Sequence, residues 1–129
     1  IPLMIGAKLA EPNKFCLNYM GDGAFGMSGL DIETSVRAGL PITTIVLNNG
    51  HMATYPGGFP VSRAKYGVTE MTGDYAKIAE GMGAVGIHVT KPSEIAPALR
   101  QAQKINLDGK TVLLDIKTRA EDKRSASSR

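Results

Sequence analysis

The sequence predicts an α/β domain, a doubly wound and mostly parallel sheet with helices on both faces, from three observations. Helical and strand periodicities alternate along the chain. The segment Pro41 to Leu47 is β-branched and almost continuously apolar, as a strand covered on both faces must be. A glycine-rich turn follows the first strand-like run and opens a helix. A length of 129 residues limits the chain to one such domain.

Taken in order, residues 2–10 place apolar side chains at near-helical spacing, Asn13 and Lys14 turn the chain, and Phe15 to Met20 is a run of strand length. After Gly21 to Gly29 a helix is expected to begin near Ser28, with its regular part at Leu30 to Ala38 and a stop at Gly39 and Pro41. The strand Pro41 to Leu47 follows. From Asn48 to Gly73 no period is sustained, and Pro56, Gly57, Gly58, Pro60 and Gly67 punctuate the stretch. A loop of that length reads as functional, with Tyr55 to Pro60 as either a mobile lid or a rigid turn. Asp74 is placed to cap a helix over Tyr75 to Met82, and Gly86 to Thr90 reads as a strand. Ser93 is placed to cap a helix from Glu94 to about Lys104, and Thr111 to Lys117 is the last strand. The order α-β-α-β-loop-α-β-α-β implies parallel strands joined by right-handed crossovers.

Composition narrows the function classes. The net charge is +3, from 15 Lys and Arg against 12 Asp and Glu. Residues 119–129 hold four basic and two acidic groups, which leaves eleven and ten for residues 1–118, a nearly neutral body with a polar tail. Without a basic stripe or many aromatics, a nucleic-acid partner is not expected. No apolar run approaches a membrane span and no secretory signal is present, so the expectation is a cytoplasmic protein with no membrane role. Cys16 is alone, sits in a strand-like setting and reads as a packing group. The opening at Ile1, without Met and directly in helix-like sequence, is expected of a domain truncated from a longer parent.

The motif Gly21-Asp22-Gly23-Ala24-Phe25-Gly26 satisfies G-x-G-x-x-G in letters and context, and alone would suggest a nicotinamide dinucleotide. That ligand also asks for an acid at the end of the second strand, where this chain has Val46-Leu47-Asn48-Asn49. Asp22 is a second difficulty, because a carboxylate facing a diphosphate repels it unless a divalent cation lies between them. Asp22 and Asn48-Asn49 end consecutive strands, where open α/β sheets bind ligands, so they can meet at one site. Mg²⁺ would accept the Asp22 carboxylate, an Asn amide oxygen and a backbone carbonyl, with phosphate and water completing the shell. Glycines 21, 23 and 26 let backbone N–H groups approach the phosphates.

Gly21-Asp22-Gly23, followed after 24 residues by Asn48-Asn49, resembles the diphosphate-binding signature of thiamine diphosphate (ThDP) enzymes. The stretch GDGAFGMSGLDIETSVRAGLPITTIVLNNG is similar throughout to the acetolactate synthase and benzoylformate decarboxylase group, and the likeness runs on to the final strand. The resemblance implies a ThDP-binding fold, with residues 1–118 as the diphosphate- and Mg²⁺-binding domain. It implies Mg²⁺ ligation by the Asp22 carboxylate, the Asn49 side-chain oxygen and the His51 backbone carbonyl. Gly21, Gly23 and Ala24 would line the diphosphate, Asn48 would brace the loop, and Met52 would pack near the phosphate arm. Ala24 stands where many relatives have Ser, which removes a hydroxyl contact to phosphate.

By the same resemblance, the glutamate that promotes loss of the thiazolium C2 proton belongs to a separate pyrimidine-binding domain. No activating residue is therefore assigned within this chain, which is expected to be inactive without that partner. The parent would be a homodimer or tetramer acting on a 2-oxo acid. Gly50-His51-Met52 departs from the acidic residues typical of acetolactate synthases, so decarboxylation and carboligation both stay open. The alternatives are a nicotinamide-dependent oxidoreductase domain and a non-catalytic binding module. The His51 and His88 side chains read as structural, and Met27, Met52 and Met71 as packing groups or cofactor neighbours.

Overall fold

Four parallel strands form one sheet in the order β1-β2-β4-β3, in a computed structural model that describes residues 1–52 and 59–120. Helix α1 (Pro2–Ala10) leads into β1 (Leu17–Gly21), followed by α2 (Asp22–Ser28), α3 (Asp31–Arg37) and β2 (Thr43–Asn48). Then come α4 (Pro60–Tyr66), α5 (Tyr75–Gly81), β3 (Val85–Val89), α6 (Pro92–Leu107) and β4 (Val112–Lys117).

The chain moves from β1 to its neighbour β2, passes beyond the place of β4 to the edge at β3, and returns through α6 to insert β4. Right-handed crossovers made in opposite directions put their helices on opposite faces, and the two cores follow that rule. On one face Val46 and Leu113 pack with Phe25 of α2, Ile32 of α3 and Tyr75 and Ala79 of α5, with Met4 and Ile5 of α1 against the same cluster. On the other, Val112, Leu114 and Ile116 pack with Ala98 and Ala102 of α6. The alternation of β4 between the faces explains why Val112 to Ile116 is buried throughout, while its apolar run is interrupted only by Asp115. Cys16 is buried in the first core, as its setting suggests.

Helix onset differs from expectation at two places. The first helix after β1 begins at Asp22, not near Ser28, so Gly23 and Gly26 are helical residues. The reason is local: Asp22 is an acid in the first turn, and its Oδ1 accepts from the Gly23 N–H at 2.9 Å, satisfying one of the donors that a helix start leaves free. At α6 Ser93 does not cap. Pro92 occupies the first turn, and Glu94 Oε2 accepts from the Thr90 and Lys91 N–H groups at 2.9 and 3.0 Å, so the helix starts earlier than expected. Asp74 does cap α5, accepting from the Lys77 N–H at 3.1 Å.

The stretch expected as one loop, Asn48 to Gly73, contains α4. Pro60 opens that helix and Gly67, at φ +61°, closes it in the left-handed conformation that glycine adopts without strain. His51 also bridges antiparallel to Glu70, which folds the end of the stretch back on its beginning. In the lid expected at Tyr55 to Pro60, residues 55–58 lie outside the described residues, as do residues 121–129 of the polar tail. No described helix is long and apolar enough to cross a membrane.

Candidate functional site

Strand register brings the two motifs together. Gly21, the last residue of β1, pairs with Leu47, so Asp22 at the start of α2 and Asn48 at the end of β2 share the carboxyl edge of the sheet. Asp22 is 2% exposed. Its Oδ2 accepts from the Gly50 N–H at 2.8 Å while Oδ1 holds the Gly23 N–H, so one carboxylate ties the start of α2 to the turn after β2. Gly50 has φ +71°, a conformation that frees its N–H for this contact and suits glycine at the position.

Asn48 and Asn49 divide their roles. Asn48 is buried, and its Nδ2 donates to Asp115 Oδ1 at 2.8 Å while its carbonyl accepts from the Thr118 N–H at 2.9 Å. Asn49 is half-buried, and its Oδ1 accepts from the His51 N–H at 2.9 Å. His51 Nδ1 lies 3.0 Å from the Asn49 carbonyl oxygen, so this nitrogen is the donor and the ring staples the turn. Its neighbours in the antiparallel pairing, Gly50 and Met52, are held by Met71 and Thr69: the Met71 N–H donates to the Gly50 carbonyl at 2.9 Å and the Met52 N–H to the Thr69 carbonyl at 2.7 Å. Among the described residues no donor reaches the His51 carbonyl.

Gly23 faces this turn closely. A Cβ there would stand 3.5 Å from Met52 Cγ and 3.7 Å from Met71 Sδ, so these two thioethers border the turn, whereas Met27 is exposed. Ala24 is half-buried on the same helix, and Gly21 at the strand end and Gly26 within the helix are exposed, with open space where a Cβ would stand. Gly21, Asp22, Gly23, Ala24, Asn48, Asn49, His51 and Met52 thus lie at the carboxyl edge of the sheet, and Gly26 lies one turn further along α2.

The oxygen set suits a hard divalent cation. Asp22 is a nearly buried carboxylate with which no Lys, Arg or His among the described residues makes an ion pair. Two backbone donors occupy two of about four lone-pair positions and leave the rest for a metal. The Asn49 amide oxygen and the His51 carbonyl oxygen belong to the same turn. An all-oxygen set with one carboxylate fits Mg²⁺.

Sequence reasoning missed Asp115 and Tyr75. Asp115 is fully buried, and its Oδ2 accepts from the Tyr75 N–H at 3.1 Å. The Tyr75 ring packs edge-on against Phe25, centroids 5.1 Å apart. Burial first, then the nearby Asp22 and Asp115 charges, push the Tyr75 phenol above its ordinary range. The one legible sign of Asp115 was a lone acid in the apolar run Val112 to Ile116. His88, on β3, sits between two carboxylates, with Nε2 3.3 Å from Asp74 Oδ1 and Nδ1 3.8 Å from Asp115 Oδ2. A groove of about 420 Å³ lined by Lys8, Phe15, Pro41 and Asn106 lies at the opposite, amino ends of the strands, where α1, α3 and α6 end, and is separate from this site.

Fold and site together define an α/β domain that presents an oxygen-rich turn at the carboxyl edge of a parallel sheet. Residues 1–116 match the family model of the thiamine pyrophosphate enzymes, C-terminal TPP binding domain, and the chain belongs to that family. It therefore has thiamine diphosphate as its cofactor, for which the family's partner metal is Mg²⁺, and the nicotinamide reading falls. The chain is 34% identical over 119 residues to a sulfoacetaldehyde acetyltransferase of Alcaligenes xylosoxydans xylosoxydans, covering 90% of this chain and 20% of that protein. It is 35% identical over 120 residues to an acetolactate synthase of Bacillus subtilis, with the same two coverages. A thiamine diphosphate-dependent 4-hydroxybenzoylformate decarboxylase of Rhodococcus jostii shares the fold, with a TM-score of 0.77 at 22% identity over 95% of this chain and 23% of its own. The chain spans about a fifth of the length of the curated relatives it matches.

Proposed function

We propose that this domain holds the diphosphate end of thiamine diphosphate through Mg²⁺, as one part of a larger acetolactate synthase-like enzyme that decarboxylates or carboligates a 2-oxo acid. The observation that carries the reading is Asp22, buried without a cationic partner among the described residues and tied directly to the Asn48–Gly50 turn. Asp22, the Asn49 amide oxygen and the His51 carbonyl would hold the metal. Backbone N–H groups of Gly21 and Ala24 would meet the diphosphate, assisted by the positive end of α2, while Gly23, whose N–H is held by Asp22, would line it by its lack of a side chain. Met52 would pack beside the phosphate arm, and Asn48 would brace the turn.

The bound cofactor supplies the electron sink that 2-oxo acid chemistry requires. The protein's share is position and electrostatics. In this reading both carboxylates at the turn serve to hold it: Asp22 accepts from two N–H groups and would take the metal, and Asp115 accepts from an amide and an N–H. The activating glutamate would therefore come from a pyrimidine-binding domain, and the chain alone would be inactive. A homodimer or tetramer of the full enzyme, in the cytoplasm, completes this reading.

Calorimetric titration of thiamine diphosphate into the folded chain, with and without Mg²⁺ and with Asp22→Ala as control, tests it. Binding that requires both Mg²⁺ and Asp22 is expected. Binding indifferent to either refutes the metal bridge. Turnover of a 2-oxo acid by the purified chain alone would refute the need for a second domain.

A further inference from the structure

We propose that Asp115 is a positioning residue for the cofactor turn, acting through Asn48 and α5 without touching cofactor or metal. It rests on the assignment of Asn49 and His51 to the metal. Asp115 is the one acid inside β4, is fully buried, and faces the core that contains α2 and α5. Its two oxygens take donors from two different elements: Asn48 Nδ2 at the end of β2 and the Tyr75 N–H at the start of α5. Tyr75 packs on Phe25 of α2, the helix that opens with Asp22, and Asp22 returns to the turn through Gly50. The contacts thus close a ring, Asp22 to Gly50, Asn48 to Asp115, Tyr75 to Phe25, with the Asn49–His51 segment inside it.

Only a carboxylate satisfies this arrangement. Both partners are N–H donors, so an amide at position 115 can accept from one and must turn its own NH₂ toward the other, leaving a buried donor unpaired. Asn48 is fixed on both sides, by Asp115 at its side chain and by Thr118 at its carbonyl, so the direction in which the chain leaves β2 depends on these two contacts. Outer partners of this kind set the orientation of metal ligands, and their removal costs roughly 10–100-fold in metal affinity.

The test uses the whole chain and two readouts. The first, needing no ligand, is amide hydrogen exchange of Gly50 and His51, whose N–H groups are bonded to Asp22 and Asn49. The second is Mn²⁺ affinity in the presence of thiamine diphosphate, read by electron paramagnetic resonance. Asp115→Asn is expected to accelerate exchange at Gly50 and His51 selectively and to weaken Mn²⁺ binding about tenfold or more. Asn48→Ala should accelerate the same two amides, and the double variant should fall short of the sum of the singles, because the Asn48–Asp115 contact is shared while the Tyr75 contact belongs to Asp115 alone. Unchanged turn exchange in a folded Asp115→Asn chain, or acceleration equal to that of Ile45 and Val46 in β2, overturns the proposal. If Asp115→Asn fails to fold, the exchange at Gly50 and His51 in Asn48→Ala decides in the same way. Mn²⁺ binding that depends on Asp22 and not on Asp115 refutes this inference alone, whereas binding indifferent to Asp22 refutes the proposed function.

Discussion

Gly86→Ala is the sharpest test of how α5 is seated, and therefore of how Tyr75 reaches Asp115. Gly86 lies in β3 directly beneath α5, and a Cβ there would run into the Ala76 carbonyl oxygen, with the carbonyl carbon at 2.8 Å and Cα at 3.0 Å. These are backbone atoms of a helix packed on the sheet, so no side-chain rotation relieves the overlap. Restoring ordinary contact requires α5 to lift by about an ångström, and overpacking of this kind costs about 1–3 kcal/mol. Opposing it, Gly→Ala at a compatible backbone position stabilises by about 0.4–1 kcal/mol through the unfolded chain. The overlap wins, with a net loss of about 1–2 kcal/mol. With a urea m-value of about 1–3 kcal/mol/M, the unfolding midpoint should fall by roughly 1 M while m stays constant. Gly6→Ala is the control, because a Cβ there meets nothing within 4 Å inside α1, and it should raise stability by about 0.5–1 kcal/mol. An unchanged or raised midpoint for Gly86→Ala would mean that α5 does not rest on β3 as described.

Two pH-dependent predictions follow from the groups around the same helix. The N–H of Lys77 is the largest of the influences that hold the Asp74 carboxyl below its ordinary value of 3.8, with the Lys77 side chain and His88 assisting. A lowered folded-state pKa gives stability that is present above the unfolded value and lost as pH falls through the folded one. The stability difference between wild type and Asp74→Asn, by thermal unfolding, should therefore be constant above about pH 5 and shrink toward pH 3. For Tyr75 the sign reverses. Burial first, then Asp22 and Asp115, raise its phenol above 10.0, so its contribution is intact below that pH and lost as pH rises beyond it. Wild type should lose stability relative to Tyr75→Phe as pH rises beyond 10.0, and equal slopes there would contradict the placement of the phenol near those carboxylates.

How far the sequence spoke depended on the range of each contact. The turn with Asp22, the paired asparagines and the apolar strand before each were legible because strand, turn and ligand position follow one another along the chain. The parallel order and two-faced packing were legible for a similar reason, since helical and strand periods alternate along the chain and Pro41 to Leu47 is almost continuously apolar. The start of α2 was misplaced because glycines lower helix propensity, and the compensation comes from the Asp22 side chain, a detail that propensity does not contain. Helix α4 was hidden although Pro60 and Gly67 bracket it, because proline and glycine also punctuate loops. Asp115 was the real omission. Its partners lie 67 and 40 residues away in sequence, and a single acid in a strand says nothing of whether two donors will converge on it.

The two buried acids of the site separate by the kinds of donor that surround them. Asp115 receives a side-chain amide and a backbone N–H from flanking elements deep in the core, an arrangement that fixes geometry. Asp22 receives only backbone N–H groups, one from Gly23 in the first turn of α2 and one from Gly50 in the turn after β2, and it lies at the edge where ligands of α/β sheets bind. A buried carboxylate with no ion-paired side chain is costly unless something positive joins it. The N–H groups and the start of α2 supply part of that, and a divalent cation would supply the rest. The division predicts which acid tolerates which change: loss of charge at Asp22 should abolish metal-dependent binding outright, whereas loss of charge at Asp115 should loosen the turn and weaken binding in proportion.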